Sequence, residues 1–232
     1  MNKLSTENLN LLPTPEELKQ LCKSISALEA IISPEWEYRY YSYQKDWSET
    51  EEFCEMRNGE GDQMLILFGN DGTCINGFAH ESKMNRREKS ITEKLLGSKI
   101  EMNKGIVDEL PEVYHEFIFG EPVKSIGTTF CIWTTTENTW TTGQIELPND
   151  DYKDGSSDLL HVLDGKALTY KKWAEDYYEE EFENRELKLE LINKIYAGTI
   201  ISRAIVLAIN PEFEDFEKLE SDLNDIGYEN EI

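Results

Sequence analysis

Nothing in this chain of 232 residues approaches the ~18 uncharged apolar residues of a membrane-spanning helix, and no CxxC pair or zinc-finger Cys/His spacing occurs. The first absence excludes a helical membrane span, and the second excludes a local zinc ribbon or thioredoxin-type motif. The opening stretch MNKLSTENLNLLPTPEE has no continuous apolar segment of the secretion-signal kind, so the expected location is cytoplasmic. There is no Walker loop, no GxGxxG after a strand, no GxSxG elbow and no HExxH, and no cofactor is expected. Histidine is scarce: His80, His115 and His161 must supply any histidine-dependent chemistry. Positive charge is scarce as well. Lys and Arg number 23 against 47 Asp and Glu, and a net charge of −24 repels nucleic-acid phosphates and anionic lipid.

What is present describes a folded core. A hydrophobic fraction of 39% and an aromatic fraction of 11% are too high for a disordered chain, and no repeat or low-complexity linker divides it, so one domain spanning 1–232 is expected. Residues 1–13 and 227–232 read as flexible ends. The four cysteines are widely spaced, and Cys22, Cys74 and Cys131 sit among apolar residues; with Cys54 they read as free thiols in a reducing compartment. The charge is uneven. Residues 1–106 carry 13 basic against 18 acidic residues (net −5), and 107–232 carry 10 against 29 (net −19). Residues 83–104 run the other way, with seven basic residues against three acidic ones.

The segment TPEELKQLCKSISALEAII opens with Thr14, Pro15 and Glu17 in a capping-box arrangement, and Leu18, Leu21, Cys22, Ile25, Leu28, Ile31 and Ile32 then recur at helical spacing. Aromatic alternation at Trp36, Tyr38 and Tyr40 predicts a strand, followed by EEFCEMRN and by two apolar runs around Gly69-Asn70-Asp71-Gly72. The last of these strands ends near His80, and a polar, basic loop with a short helix at Ser90–Leu96 follows. DELPEVYHEFIFG predicts a short helix burying Leu110, Val113, Tyr114 and Phe117, and GTTFCIWTTTENTWTTG a further hairpin. From Ser156 onward the pattern is helical. The expected fold is α+β: a mostly antiparallel sheet with an N-terminal helix and C-terminal helices packed on it.

Three groups of residues are candidates for chemistry or binding. His80 and Glu81 follow a strand, where a histidine beside a carboxylate can act as a general base. Neighbours on a strand point to opposite faces, however, and the reading adopted is the end of a strand at the entrance to the basic loop. Asp158 and His161, three apart on one helical face, form with His80 a candidate divalent-metal group for a metal-assisted hydrolase, although acidic turns such as NDDYKDGSSD also simply cap helices. His115 reads as an exposed helix residue. Trp133 and Trp140 are either core residues or interface anchors, and Asp176, Glu179, Glu180 and Glu183 are interleaved with Tyr177, Tyr178 and Phe182. These two tryptophans and four carboxylates are the candidate partner-binding set, for a basic protein rather than nucleic acid or membrane.

The strings SPEWEYRYYSY, MRNGEGD, ILFGNDGTCINGFAHES, LPEVYHEFI, TTFCIW and DGSSDLLHVLDG resemble a group of uncharacterised bacterial cytoplasmic proteins across most of residues 15–210. Ala79 stands where that group carries Asp, which removes a carboxylate beside His80. In class the chain is also similar to bacterial immunity proteins of the SUKH type, compact acidic α+β proteins; LPEVYHEF is similar to the helix start of that family but here follows several strands. No activity attaches to that group, and the immunity likeness is one of class only; the charge of the acidic C-terminal half points to a non-catalytic, immunity-type or regulatory partner of a basic protein. Two alternatives stand beside it: a metal-assisted hydrolase using His80, Glu81, Asp158 and His161, and a mimic of nucleic acid.

Overall fold

The computed structural model describes residues 3–85, 105–134, 139–145, 147, 153–183 and 185–232. Most of the basic loop, and the helix expected at Ser90–Leu96, lie outside the described residues. The architecture is α+β. Helix α1 (Pro15–Ile32) precedes an antiparallel sheet whose strands follow chain order: β1 (Tyr41–Gln44), β2 (Glu51–Arg57), β3 (Gln63–Gly69), β4 (Gly72–Phe78), β5 (Phe130–Trp133) and β6 (Thr141–Thr142). Among the described residues, two short helices, α2 (His115–Phe119) and α3 (Val123–Ile126), lie between β4 and β5. The C-terminal part is helical: α4 (Ser156–Leu159), α5 (Ala167–Tyr177), α6 (Glu179–Phe182), α7 (Leu189–Tyr196), α8 (Arg203–Ile209) and α9 (Phe216–Ile226). A two-residue parallel pair, β7 (Ile201–Ser202) and β8 (Asn230–Glu231), completes it. The chain forms two compact units, Met1–Leu12 with Arg57–His161 and Pro13–Met56 with Val162–Ile232.

In the second unit α1 is the central element. The Thr14 hydroxyl accepts from the Glu17 amide and the Glu17 carboxylate accepts from the Thr14 amide, so two of the helix's orphan donors are satisfied at its start. Its apolar stripe is buried under β1, α7 and α9, with Leu18, Cys22, Ile25 and Leu28 fully enclosed. The strand expected from Trp36 onward begins only at Tyr41, because Trp36–Tyr38 forms a 3-10 turn. Arg39 explains the turn. Its guanidinium donates to the carbonyls of Ser33 and Pro34 at 2.9 and 2.6 Å, which folds the chain back against the end of α1. The strand therefore buries Tyr41 and Tyr43, not Tyr38 and Tyr40.

In the first unit, β3 and β4 form a hairpin with Gly69 opposite Gly72, and β5 pairs with the far side of β4. The positive φ of the turn falls on Gly72 (φ 134°), and not on Asn70 or Asp71. A Cβ at Gly72 would stand 2.3 Å from the Tyr114 hydroxyl, which itself donates to the Thr134 carbonyl at 2.5 Å. Leu110, Tyr114 and Ile118 carry the buried side of the 110–119 segment, while Val113, expected inside, is exposed. The four cysteines are free and buried, with the Sγ atoms of Cys74 and Cys131 3.9 Å apart.

Described residues near both ends of the chain make specific contacts. Leu4 and Leu12 are buried, and the Thr6 hydroxyl donates to Asp154 at 2.6 Å. At the other end the Tyr228 hydroxyl donates to the Ile195 carbonyl at 2.5 Å and β8 pairs with β7. Short polar termini carry little apolar periodicity, so these few anchoring bonds leave no pattern in the sequence.

Candidate functional site

His80 lies just past β4, and the hairpin register extends Gln63↔Phe78 by one step to bring Asp62 level with Ala79. The Asp62 Oδ1 atom accepts from the His80 amide at 2.8 Å and lies 2.7 Å from His80 Nδ1. Asn58 clamps Asp62 from the other side: its Nδ2 donates to Oδ2 at 3.1 Å, and its Oδ1 accepts from the Asp62 amide at 3.0 Å. Gly61, with φ 115°, packs against the ring. The carboxylate that orients His80 is thus Asp62; in the alternative His80–Glu81 pairing, the Glu81 Oε1 stands 4.0 Å from Nε2, out of hydrogen-bonding range, on a side chain that is 70% exposed.

An ionised carboxylate only accepts, so the ring proton sits on Nδ1 and Nε2 faces outward as the basic atom of an Asp–His pair. A nucleophile is not supplied by the adjacent serine. Ser82 is buried, and its hydroxyl donates to the Lys153 carbonyl at 2.7 Å. The hydrogen bond to Asp62, aided by the charges of Asp62, Glu81 and Glu60, raises the His80 pKa above 6.5. The sign follows: this contribution to stability is fully present below 6.5 and is lost as pH rises through the higher folded-state value. An NMR titration of the His80 ring is expected to show a midpoint above 6.5 that falls back toward it in Asp62→Asn; equal midpoints in the two proteins would mean the bond does not form in solution.

Asp158 and His161 do not converge as metal ligands. His161 Nδ1 bonds the Asp158 backbone carbonyl at 2.6 Å, not its carboxylate. Among the described residues no group of three or more His, Cys, Asp or Glu side chains is placed to hold a metal, so His80, Asp158 and His161 do not form the expected group. Asp154 of the acidic turn instead bonds the first residue of α4. Asp154, nine-tenths or more buried, accepts from the Ser156 amide and hydroxyl at 3.0 and 2.7 Å; Asp150 and Asp151 lie outside the described residues. His115 is exposed, with its ring edge-on to Phe119.

The other candidate surface is on α5 and α6. Ala167, Tyr170 and Ala174 form the buried stripe of α5, and Tyr170 and Tyr178 direct their hydroxyls onto Glu29 of α1. The Tyr40 amide donates to Glu29 as well, at 3.1 Å. One helical turn apart, Trp173 and Tyr177 stack with centroids 5.4 Å apart and planes at 18°. Tyr40 meets both edge-on at 4.7 and 4.8 Å.

Asp176, Glu179, Glu180 and Glu183 are all exposed, and among the described residues none is in an ion pair. Their neighbours differ. Glu175 and Glu186 share Lys171 at 2.7 and 2.8 Å, Glu181 pairs with Arg185 and Glu190 with Lys194. Trp133, by contrast, is 2% exposed within the core beside Cys131, which corrects its placement among partner-binding residues: opposite Cys74 on β4, its side chain is enclosed. Trp140 is partly exposed next to β6.

Asp62, Glu29, Tyr170 and Tyr40 have no place in the sequence-based candidate set. Of these, Glu29 carries a signal: it lies four residues after Ile25 and seven after Cys22, on the apolar stripe itself. Comparison of the chain with protein-family models, with curated proteins and with solved structures finds no match.

Proposed function

We propose that this protein is a non-catalytic binder of a basic protein, an immunity-type or regulatory partner, and that the α5–α6 segment is part of its docking surface. One observation carries the reading: Asp176, Glu179, Glu180 and Glu183 are exposed together without ion-pair partners among the described residues, while neighbouring carboxylates each hold a lysine or arginine. Exposed like charges repel one another, and a cationic surface relieves that repulsion on docking. A chain with net charge −24 also steers such a partner from a distance, at rates that fall with salt. The Asp62–His80 pair supports proton transfer at most, since a catalytic constellation also requires a nucleophile or a bound reactant positioned against it.

Affinity capture from the lysate of the source cell tests the proposal. A stoichiometric basic protein is expected to be retained at about 0.05 M salt and released at about 0.5 M, because the Debye length shrinks over that range. The variant Asp176→Asn/Glu179→Gln/Glu180→Gln/Glu183→Gln is expected to lose most of the retention. Capture unchanged in that variant, or no partner at either salt, would overturn the assignment; capture of nucleic-acid enzymes in place of a single partner would favour mimicry instead.

A further inference from the structure

We infer that the Tyr40–Trp173–Tyr177 cluster, flanked in sequence by the exposed Asp176 and Glu180, is the anchor at which a basic partner seats an arginine side chain. The inference rests on the binding reading above and names the chemistry of its central contact. Carboxylates alone give long-range attraction with little geometric demand, whereas aromatic faces add a directional attraction for a planar cation. Tyr177 is 40% exposed although its ring contacts Tyr40, Trp173 and Tyr178. A large ring left half in water at the centre of an aromatic cluster, with carboxylates one residue before it and three after, has the composition of an interface hot spot.

The cluster is also held in advance of binding. The Tyr40 amide is fixed by Glu29 at 3.1 Å and by the Tyr178 hydroxyl at 3.2 Å, and the Tyr178 ring stands edge-on to Tyr177 at 4.8 Å. Rings packed on one another beside a backbone amide that is already bonded lose little rotamer freedom when a ligand arrives, so more of the contact energy appears as affinity. Arginine is favoured over lysine because its guanidinium stacks on a ring face while its N–H groups still reach flanking carboxylates.

The test is calorimetric titration of the full chain with a nona-arginine peptide and a nona-lysine peptide at low salt. The wild type is expected to bind nona-arginine more tightly than nona-lysine. Tyr177→Ala is expected to weaken nona-arginine binding about tenfold, the loss of a typical hot-spot ring, while Tyr177→Phe keeps it; thermal melts of both variants check that this exposed position leaves the fold intact. If Tyr177→Ala binds like the wild type while Asp176→Asn/Glu180→Gln weakens, the aromatic anchor is overturned and the acidic docking surface stands. If the wild type binds neither peptide, the anchor is overturned whatever the capture experiment gives.

Discussion

Replacing Glu29 with glutamine is expected to flatten the pH dependence of unfolding between about pH 4.5 and 7. Burial in the α1–α5–β1 packing raises the Glu29 pKa from 4.5 to about 7, and the hydrogen bonds from Tyr178, Tyr170 and the Tyr40 amide pull it only partly back. A carboxyl that holds its proton more tightly when folded contributes its full stability below 4.5, loses it as pH rises, and reaches a constant penalty above 7. At 1.36 kcal/mol per pKa unit, the interval amounts to about 3 kcal/mol.

Surface carboxylates titrate in both proteins, so the difference between Glu29→Gln and wild type isolates this group. Urea unfolding at pH 5 and pH 8 makes the measurement, and an identical slope in the two proteins would refute the assignment. Glu29→Leu separates charge from hydrogen bonding. It removes the titration but leaves the Tyr170 and Tyr178 hydroxyls without their acceptor, and is expected to destabilise below pH 4.5 by roughly 1–3 kcal/mol for each, with the loss shrinking above pH 7 where the wild type carries its own penalty.

Elements with a strong period are legible in the amino-acid order alone: α1 from its capping box and stripe, the β3–β4 hairpin from its glycine-flanked turn, and the helical C-terminal part from recurring apolar residues. The Trp36–Tyr40 segment reads as a strand and folds as a turn, because alternating aromatics also suit a turn when a buried arginine draws the backbone round. At the site, the four carboxylates are legible as a charge run, since exposed charge is written directly in the sequence. Pairing is not. Whether a given glutamate finds a lysine depends on tertiary neighbours, as Lys171 does in joining Glu175 to Glu186 eleven residues further on.

Asp62 shows the same limit from another side. It lies 18 residues from His80 and emerges as its partner only when the hairpin register is followed past the last paired residues. Glu81 stands next to His80 in sequence yet makes no hydrogen bond to the ring. Adjacency along a strand end says little about side-chain direction, whereas register across a hairpin dictates it.

Arg39→Ala is the second large effect, expected to lower the unfolding free energy by about 3 kcal/mol, the scale for breaking a buried charge pair from one side. Arg39 is 5% exposed, and it spends its donors on the Ser33 and Pro34 carbonyls beyond the end of α1 and on Asp222 of α9 at 2.5 Å. Lysine does not replace this fork, because one ammonium cannot reproduce the planar donor geometry; Arg39→Lys is expected to recover less than half of the loss. Asp222→Asn keeps an acceptor but leaves the buried guanidinium without its counter-charge, and is expected to cost about 3 kcal/mol as well. Urea unfolding followed by tryptophan fluorescence reads all three, and an Arg39→Ala protein within about 0.5 kcal/mol of wild type would show that the clamp carries no stability. The effect also reaches the docking surface. Arg39 sets the turn that delivers the Tyr40 amide to Glu29, so its loss is expected to loosen Tyr40 against Trp173 and Tyr177 and weaken nona-arginine binding while every carboxylate remains.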